Sequence, residues 1–330
     1  MAHGAGGKAS RRLVEGLIAP IFANPILAPL ADAAIVPVDG ARVATTADGY
    51  VVRPLRFPGG SIGELAVNGT VNDLAVSGAR AHTLMVSLIL EAGLPTEVLR
   101  AELEAMAGAA ARTGVAIVGG DTKVVEHGSC DAMFVTTFGV GALDGRFALD
   151  PRAVRAGDRV LVSGPIGDHG ITILLARGDL ELEAELRSDT RSVWPFVAAL
   201  LETCPHAVRW MRDPTRGGVA TALNELVRES GLAIALREEE VPLRAEVRGA
   251  CELLGLDPLH IANEGQLLAV VAAADAERAL AAVRAVVGGE GAALIGEVRE
   301  APARTVVGIT PYGGTRVIDM LVGDPLPRIC

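Results

Sequence analysis

Apolar and polar positions alternate along the chain with two different periods, and each change of period marks an element. Near-continuous or alternating apolar runs predict strands at residues 33–38, 43–46, 50–52, 83–90 and 132–140. The stretch 62–78, which contains the string VNDLAVSGA, predicts a helix. Thr96 is a good cap for a second helix over 97–113, where Leu99, Leu103, Met106 and Ala110 fall on one face. Residues 115–118 predict a short buried strand, with Gly119, Gly120 and Asp121 forming the turn after it. Pro151, Gly157 and Asp158 mark a boundary between two domains, 13–150 and 151–322. The second opens on a strand at 159–163 and continues with helices at 184–201, 217–230 and 276–287 and strands at 232–236, 266–271 and 292–298. Strands and helices mix in both halves, so each is an α/β (α+β) domain. Residues 1–12, rich in Gly and basic side chains, predict a flexible segment, and 323–330 a mobile, extended tail held open by Pro325 and Pro327.

Composition narrows the partners. The chain has 330 residues, half of them hydrophobic, so two cores are affordable; only 3% are aromatic, and the formal net charge is −10. An acidic chain poor in aromatics has neither the charge nor the stacking surfaces of a nucleic-acid binder. No apolar run reaches membrane-spanning length. Its four cysteines, Cys130, Cys204, Cys251 and Cys330, form no CxxC pair, which speaks against zinc and a disulfide framework and fits reduced thiols in the cytoplasm.

Five aspartates sit in turns beside element ends: Asp32, Asp48, Asp73, Asp121 and Asp213. Converging carboxylates suit Mg²⁺ and a nucleotide, whereas each aspartate alone reads as a helix cap or turn residue. GGDTK and DPTRGG, which crowd glycine, acid, hydroxyl and base together, favour function. HGAGGK offers Gly4, Gly6, Gly7 and Lys8 to phosphates, although it matches neither common phosphate-loop pattern. GPIGDHG brings His169, equally an acid–base group or a hydrogen-bonded loop residue. Glu264, in a turn before a strand, reads as a general base or a solvated acid, and Lys123 as a phosphate clamp or a surface lysine. Cys330 is not at a prenylation position; a neighbouring carboxylate makes it a sluggish nucleophile and suits a thiol acylated by another protein.

The strings AHGAGGK, FPGGSIGELAVNGTVNDLAVSGA, AIVGGDTKVV, SGPIGDHG, RDPTRGGV, LHIANEG and PLPRIC, in this order along nearly the whole chain, resemble the HypE family of hydrogenase maturation proteins. That family lies in the superfamily of aminoimidazole ribonucleotide and selenophosphate synthetases. The resemblance implies a two-domain PurM-like fold and a homodimer whose N-terminal domains pair strands into a barrel. It implies ATP and Mg²⁺ as cofactors, a carbamoyltransferase partner HypF and a HypC–HypD iron scaffold. The implied reaction dehydrates a carbamoyl group on Cys330 to a thiocyanate, the cyanide source for the iron of [NiFe]-hydrogenase. The implied roles are Glu264 as base, Lys123 as orienting charge, and Asp32, Asp48, Asp73, Asp121 and Asp213 as metal ligands. Gly4, Gly6, Gly7, Lys8, Thr46, Asp48, Asn72, Asp73, Gly120, Asp121, Thr122 and Asp213 would hold the nucleotide. Around Asp48 the chain reads TTADGY, with Ala47 and Gly49 where hydroxyls are expected. A selenophosphate synthetase would need a reactive cysteine near the first glycines, and none precedes Cys130. A thiol carrier that merely presents Cys330 explains the tail but leaves the aspartates idle.

Overall fold

The computed structural model describes residues 7–178, 184–323, 326, 329 and 330; Gly4, Gly6, Pro325 and Pro327 lie outside them. The chain enters through α1 (Lys8–Leu13), a π-helical stretch Val14–Ile18 and α2 (Ala19–Ile21). Strands β1 (Ala34–Val38) and β2 (Ala41–Tyr50) follow, then a small hairpin of β3 (Arg56–Phe57) and β4 (Gly60–Ser61). Next come α3 (Ile62–Val76), β5 (Ala79–Glu91), α4 (Thr96–Thr113), β6 (Ala116–Val125) and β7 (Met133–Leu143). The first sheet has the order β1-β2-β7-β5-β6, antiparallel except for β5 with β6.

Period-two patterning gives this sheet two apolar faces. Leu84, Val86, Leu88 and Leu90 of β5 point inward, and α3 lies on that inner face, buried along nearly its whole length. Gly139 of β7 lets the helix approach: a Cβ there would stand 2.7 Å from the Thr70 methyl and 3.0 Å from Leu74. On the outer face Met85, Ile89, Phe138 and Val140 are exposed, and Val118 and Val124 of β6 are exposed beside them.

The second sheet joins β8 (Arg159–Val162), β9 (Val208–Arg212), β10 (Ala233–Arg237), β11 (Leu268–Val271), β12 (Ala293–Arg299), β13 (Val306–Ile309) and β14 (Thr315–Ile318). Its order is β14-β13-β10-β12-β8-β11-β9. Of the helices α5 (Asp168–Ala176), α6 (Trp194–Thr203), α7 (Gly218–Ser230), α8 (Ala245–Leu254) and α9 (Ala276–Arg284), α7 packs in one core with Val160 and Ile234, whereas α6 and α9 share another with Leu161 and Ala269. Helices α5 and α8 pack elsewhere. Ile171, Ile173 and Val247 share a core with Leu65 and Val71 of α3, so the two halves are joined by continuous apolar packing.

Four expectations change. The run 43–46 continues unbroken to Tyr50 as one strand, β2, and Val51 and Val52 lie beyond its end. GGDTK is not a turn, because β6 runs straight through it; a Cβ on Gly120 would fall 1.8 Å from the Val86 carbonyl oxygen, so glycine there serves strand contact. The helix expected at 184–201 begins only at Trp194, where Pro195 occupies the first turn, and the described residues before it are irregular. The tail expected to be mobile has Leu326, Ile329 and Cys330 buried in the core that joins the halves. Among the described residues no helix is long and apolar enough to cross a membrane.

Candidate active site

Three of the five aspartates come together. Asp32 precedes β1, Asp73 lies on α3 and Asp213 follows β9, and one oxygen from each falls within 4.8 Å of the others. Thr46 of β2 donates its hydroxyl to Asp73 Oδ2 at 2.8 Å, and Arg212 Nε pairs with Asp32 Oδ1 at 2.8 Å. Burial pushes the Asp213 carboxyl up to about 7 and Asp32 to about 6; Asp73 moves well up, by burial and then by the charge of Asp213. Three hard oxygen donors that repel one another, balanced by one guanidinium, are a fitting donor set for Mg²⁺. Asp48 of β2 stands outside this trio, but its charge raises the carboxyls of both Asp73 and Glu264.

A cavity of about 820 Å³ opens beside Asp32, the member of the trio on its wall, and is bounded also by Gly7, Arg11, Trp210, Arg212 and Glu225 among others. The entry segment is fastened along it. Lys8 N–H donates to the Leu321 carbonyl at 2.8 Å, and Lys8 Nζ pairs with Asp319 at 2.5 Å. A side chain on Gly7 would place Cβ 2.2 Å from Leu321 O, so only glycine allows this approach.

Glu264 lies in a loop pinned from three directions. Asn263 Nδ2 donates to the carbonyls of Pro214 and Ile261, and its Oδ1 accepts from Gly167 N–H at 2.7 Å. The Asp189 carboxylate accepts from the N–H groups of Glu264 (3.0 Å) and Gly265 (3.3 Å). Asn72 donates to the carbonyls of Arg191 and Glu264 and accepts from Val193 N–H. Its amide is therefore engaged by protein main chain, so the structure gives it a positioning role where a nucleotide contact was expected. Glu264 itself is buried, its Oε1 has no hydrogen-bond partner among the described residues, and burial and the charge of Asp213 push its carboxyl well up.

Cys330 sits in the same cleft. Arg216 of the DPTRGG string donates through Nε to Sγ and through Nη2 to the Cys330 main-chain oxygen, both at 2.9 Å. Burial pushes the thiol far up; Arg216 opposes the shift, and Glu264 and Asp48 add to it. The docked thiol is thus neutral. His169 Nε2 stands 2.6 Å from the Ile329 carbonyl oxygen. Asp189 was given no role from sequence, because an aspartate inside an expected helix carries no periodic signal; Arg216 was singled out only as the base of DPTRGG, with no link to Cys330.

Asp121 and Lys123 are not part of this assembly. They pair with each other at 2.8 Å on exposed β6, with side chains 62% and 69% exposed. Gly120, Asp121 and Thr122 instead line a separate hollow of about 470 Å³ with Leu103 and Met106 of α4.

Comparison with known proteins bears directly on this geometry. Residues 30–143 match the N-terminal domain of AIR synthase related proteins, and residues 155–309 match the C-terminal domain. The chain is 48% identical, over its full length and 96% of the relative, to the carbamoyl dehydratase HypE of Azotobacter vinelandii. It is 45% identical, over its full length and 98% of the relative, to that of Escherichia coli K12. A crystal structure of HypE in complex with ATP superposes with TM-score 0.83 at 44% identity, over 99% of this chain and 98% of that one. The HypE chain of a HypE–HypF complex gives 0.89 at 40% identity, over 94% and 99%. Two AIR synthase related domains in the expected order, full-length identity near one half and a shared two-domain fold together place the chain in the carbamoyl dehydratase HypE family.

Proposed function

We propose that this chain carries a carbamoyl group on Cys330 and uses ATP to dehydrate it to a thiocyanate, the cyanide source for a hydrogenase iron centre. The observation that carries this reading is the seating of Cys330 on Arg216, in the cleft where Glu264 and Asp48 make their charges felt. A tethered substrate reacts at high effective concentration, so the tail supplies proximity.

The chemistry balances as follows. The carbamoyl oxygen attacks the γ-phosphorus of ATP, ADP leaves, and one N–H proton departs. The resulting O-phosphoryl imidate loses its second N–H proton as the C–O bond breaks, which yields S–C≡N and phosphate. Amide oxygen is a poor leaving group and phosphate a good one, so ATP supplies the missing step. Phosphoryl transfer is mainly positioning and charge neutralisation. Mg²⁺ held by Asp32, Asp73 and Asp213 would supply that neutralisation, and the cavity beside them is large enough for a nucleoside. Glu264 is the base: its Oε1 is unpartnered among the described residues, and a carboxyl raised by burial binds a proton more strongly.

A second copy of the chain completes the picture. Lys123 and Asp121 lie on the exposed strand β6, next to an exposed apolar sheet face of Met85, Ile89, Phe138 and Val140. Pairing two such faces in a homodimer would cover that surface, and it is the arrangement in which Lys123 and Asp121 could serve a site of the partner. Loading falls to a HypF-type carbamoyltransferase, since a 40% identical HypE is found in complex with HypF. Delivery goes to a HypC–HypD-type scaffold. Four free cysteines suit a reducing cytoplasm.

Intact-mass spectrometry tests the reading. The carbamoylated protein given Mg-ATP should lose the mass of one water and release ADP and phosphate, and Cys330→Ala should accept no carbamoyl group. No mass loss with ATP would sink the dehydratase assignment.

A further inference from the structure

His169 and Arg216 stand apart from the aspartate trio, yet both meet the last residues of the chain. His169 is fully buried, and its ring contacts assign its tautomer. The Ile329 oxygen, 2.6 Å from Nε2, can only accept, so Nε2 carries the hydrogen. Nδ1, 2.7 Å from Ser188 Oγ, therefore accepts from that hydroxyl, which in turn accepts from Thr190 N–H at 3.1 Å. The ring is neutral, in agreement with burial pulling its pKa down, and stands edge-on to Phe57 with centroids 5.6 Å apart. One residue further on, Arg216 holds the Cys330 main-chain oxygen and sulfur. Leu326 and Ile329 are each 3% exposed; a Cβ on Gly170 would meet Ile261 at 2.6 Å and Leu326 at 3.3 Å, so glycine shapes this contact.

We propose that His169, backed by Ser188, and Arg216 are positioning residues that seat the tail through its main-chain oxygens and so deliver the Cys330 sulfur to the site. Main-chain oxygens are unchanged when the sulfur is carbamoylated, so one seat serves the empty and the loaded tail. The same short segment also fixes the base. Ser188 orients His169, while the adjacent Asp189 binds the main chain of Glu264 and Gly265. Tail and base are thereby referred to one short strip of backbone. The inference rests on the reading of Cys330 as carrier but concerns docking, which can be measured without turnover.

The test is alkylation of the full-length protein by iodoacetamide, followed by peptide mapping, with the buried Cys204 and Cys251 as internal reporters of the fold. His169→Ala and Arg216→Gln should each speed alkylation of Cys330 by about five- to tenfold, as expected for loss of a buried hydrogen bond, and leave Cys204 and Cys251 protected. His169→Gln, which keeps a donor, should protect Cys330 better than His169→Ala. With carbamoylated protein the single-turnover rate should fall in both variants while ATP affinity holds. Unchanged Cys330 alkylation in both variants overturns the proposal. So does simultaneous opening of Cys204 and Cys251, because a seat acts on the tail alone. Failure of the wild-type carbamoylated protein to lose water would remove the dehydratase reading and leave the docking result standing.

Discussion

The Asp189 carboxylate holds the Glu264 main chain, accepting its N–H at 3.0 Å and that of Gly265 at 3.3 Å. The fit is close: a Cβ on Gly265 would lie 1.8 Å from the Asp189 carbonyl oxygen. Asp189→Ala removes both acceptors and frees the loop that aims the base. Single-turnover dehydration should drop by about 10- to 100-fold, in line with two lost charge-assisted hydrogen bonds, while ATP affinity stays within error. Equal loss of both would mean that Asp189 supports the nucleotide or the fold.

Glu264→Gln keeps the shape of the side chain and removes its basicity. The variant should bind ATP and dock its tail like the wild type, and lose roughly 10²–10⁴-fold in dehydration rate. Isothermal titration with nucleotide and rapid-quench assays of ADP release separate the two quantities. Turnover at the wild-type rate would transfer the role of base to another group.

The aspartate trio makes stability depend on pH with a definite sign. Burial holds Asp213 at about 7 and Asp32 at about 6, against 3.8 when unfolded. Between these limits the folded chain binds more protons than the unfolded one, so stability falls as pH rises. The contribution is complete below the unfolded value and is lost by the time pH passes 7, with a steepest slope of about 1.4 kcal/mol per pH unit for each group. Without divalent cation the melting temperature should therefore fall between about pH 4 and pH 7, the span from the unfolded to the folded values. Mg²⁺, which favours the ionised trio, should flatten or reverse that fall. Superimposable profiles with and without Mg²⁺ would show that the trio holds no cation.

The outer face of the first sheet yields a prediction about assembly. Phe138→Asp places a charge in the middle of its exposed apolar patch and should give a monomer by light scattering, with dehydration lost. If Lys123 works on the partner's site, two inactive proteins should complement each other. Mixed and re-equilibrated Lys123→Ala and Glu264→Gln chains should regain about a quarter of wild-type activity, since half the dimers are mixed and each mixed dimer has one intact site. No recovery in demonstrably mixed dimers would assign Lys123 to its own chain or to no site.

Much of the secondary structure was legible because it follows local rules. The period-two runs of β5 and β7 and the one-sided helix α4 appear where their patterns predict them. The misreadings share a cause, which is local chemistry overruled at long range. Gly119 and Gly120 look like a turn, but β6 pairs with β5 at nine positions, seven of them from Gly119 onward, by continuing through them. Residues 188–193 look helical, but their side chains and amides are claimed by His169, Glu264 and Asn72. The convergence of Asp32, Asp73 and Asp213 lay beyond any spacing rule, since the three come from different elements of two domains. Cys330 stood out in the sequence as a terminal thiol suited to acylation, and His169 and DPTRGG stood out as candidate strings; that His169 and Arg216 meet the last two residues was not legible, because no spacing rule joins positions 169 and 216 to 329 and 330.

The scarcity of aromatics has an optical consequence. The chain carries two tryptophans, and one of them, Trp210, forms part of the wall of the cavity beside Asp32 and Arg212. The other, Trp194, opens α6 on the far face of the second sheet. With Trp194→Phe, all indole emission would come from a ring on the wall of that cavity. Filling the cavity would then change the polarity around that ring, so binding becomes a colour and intensity signal that needs no label.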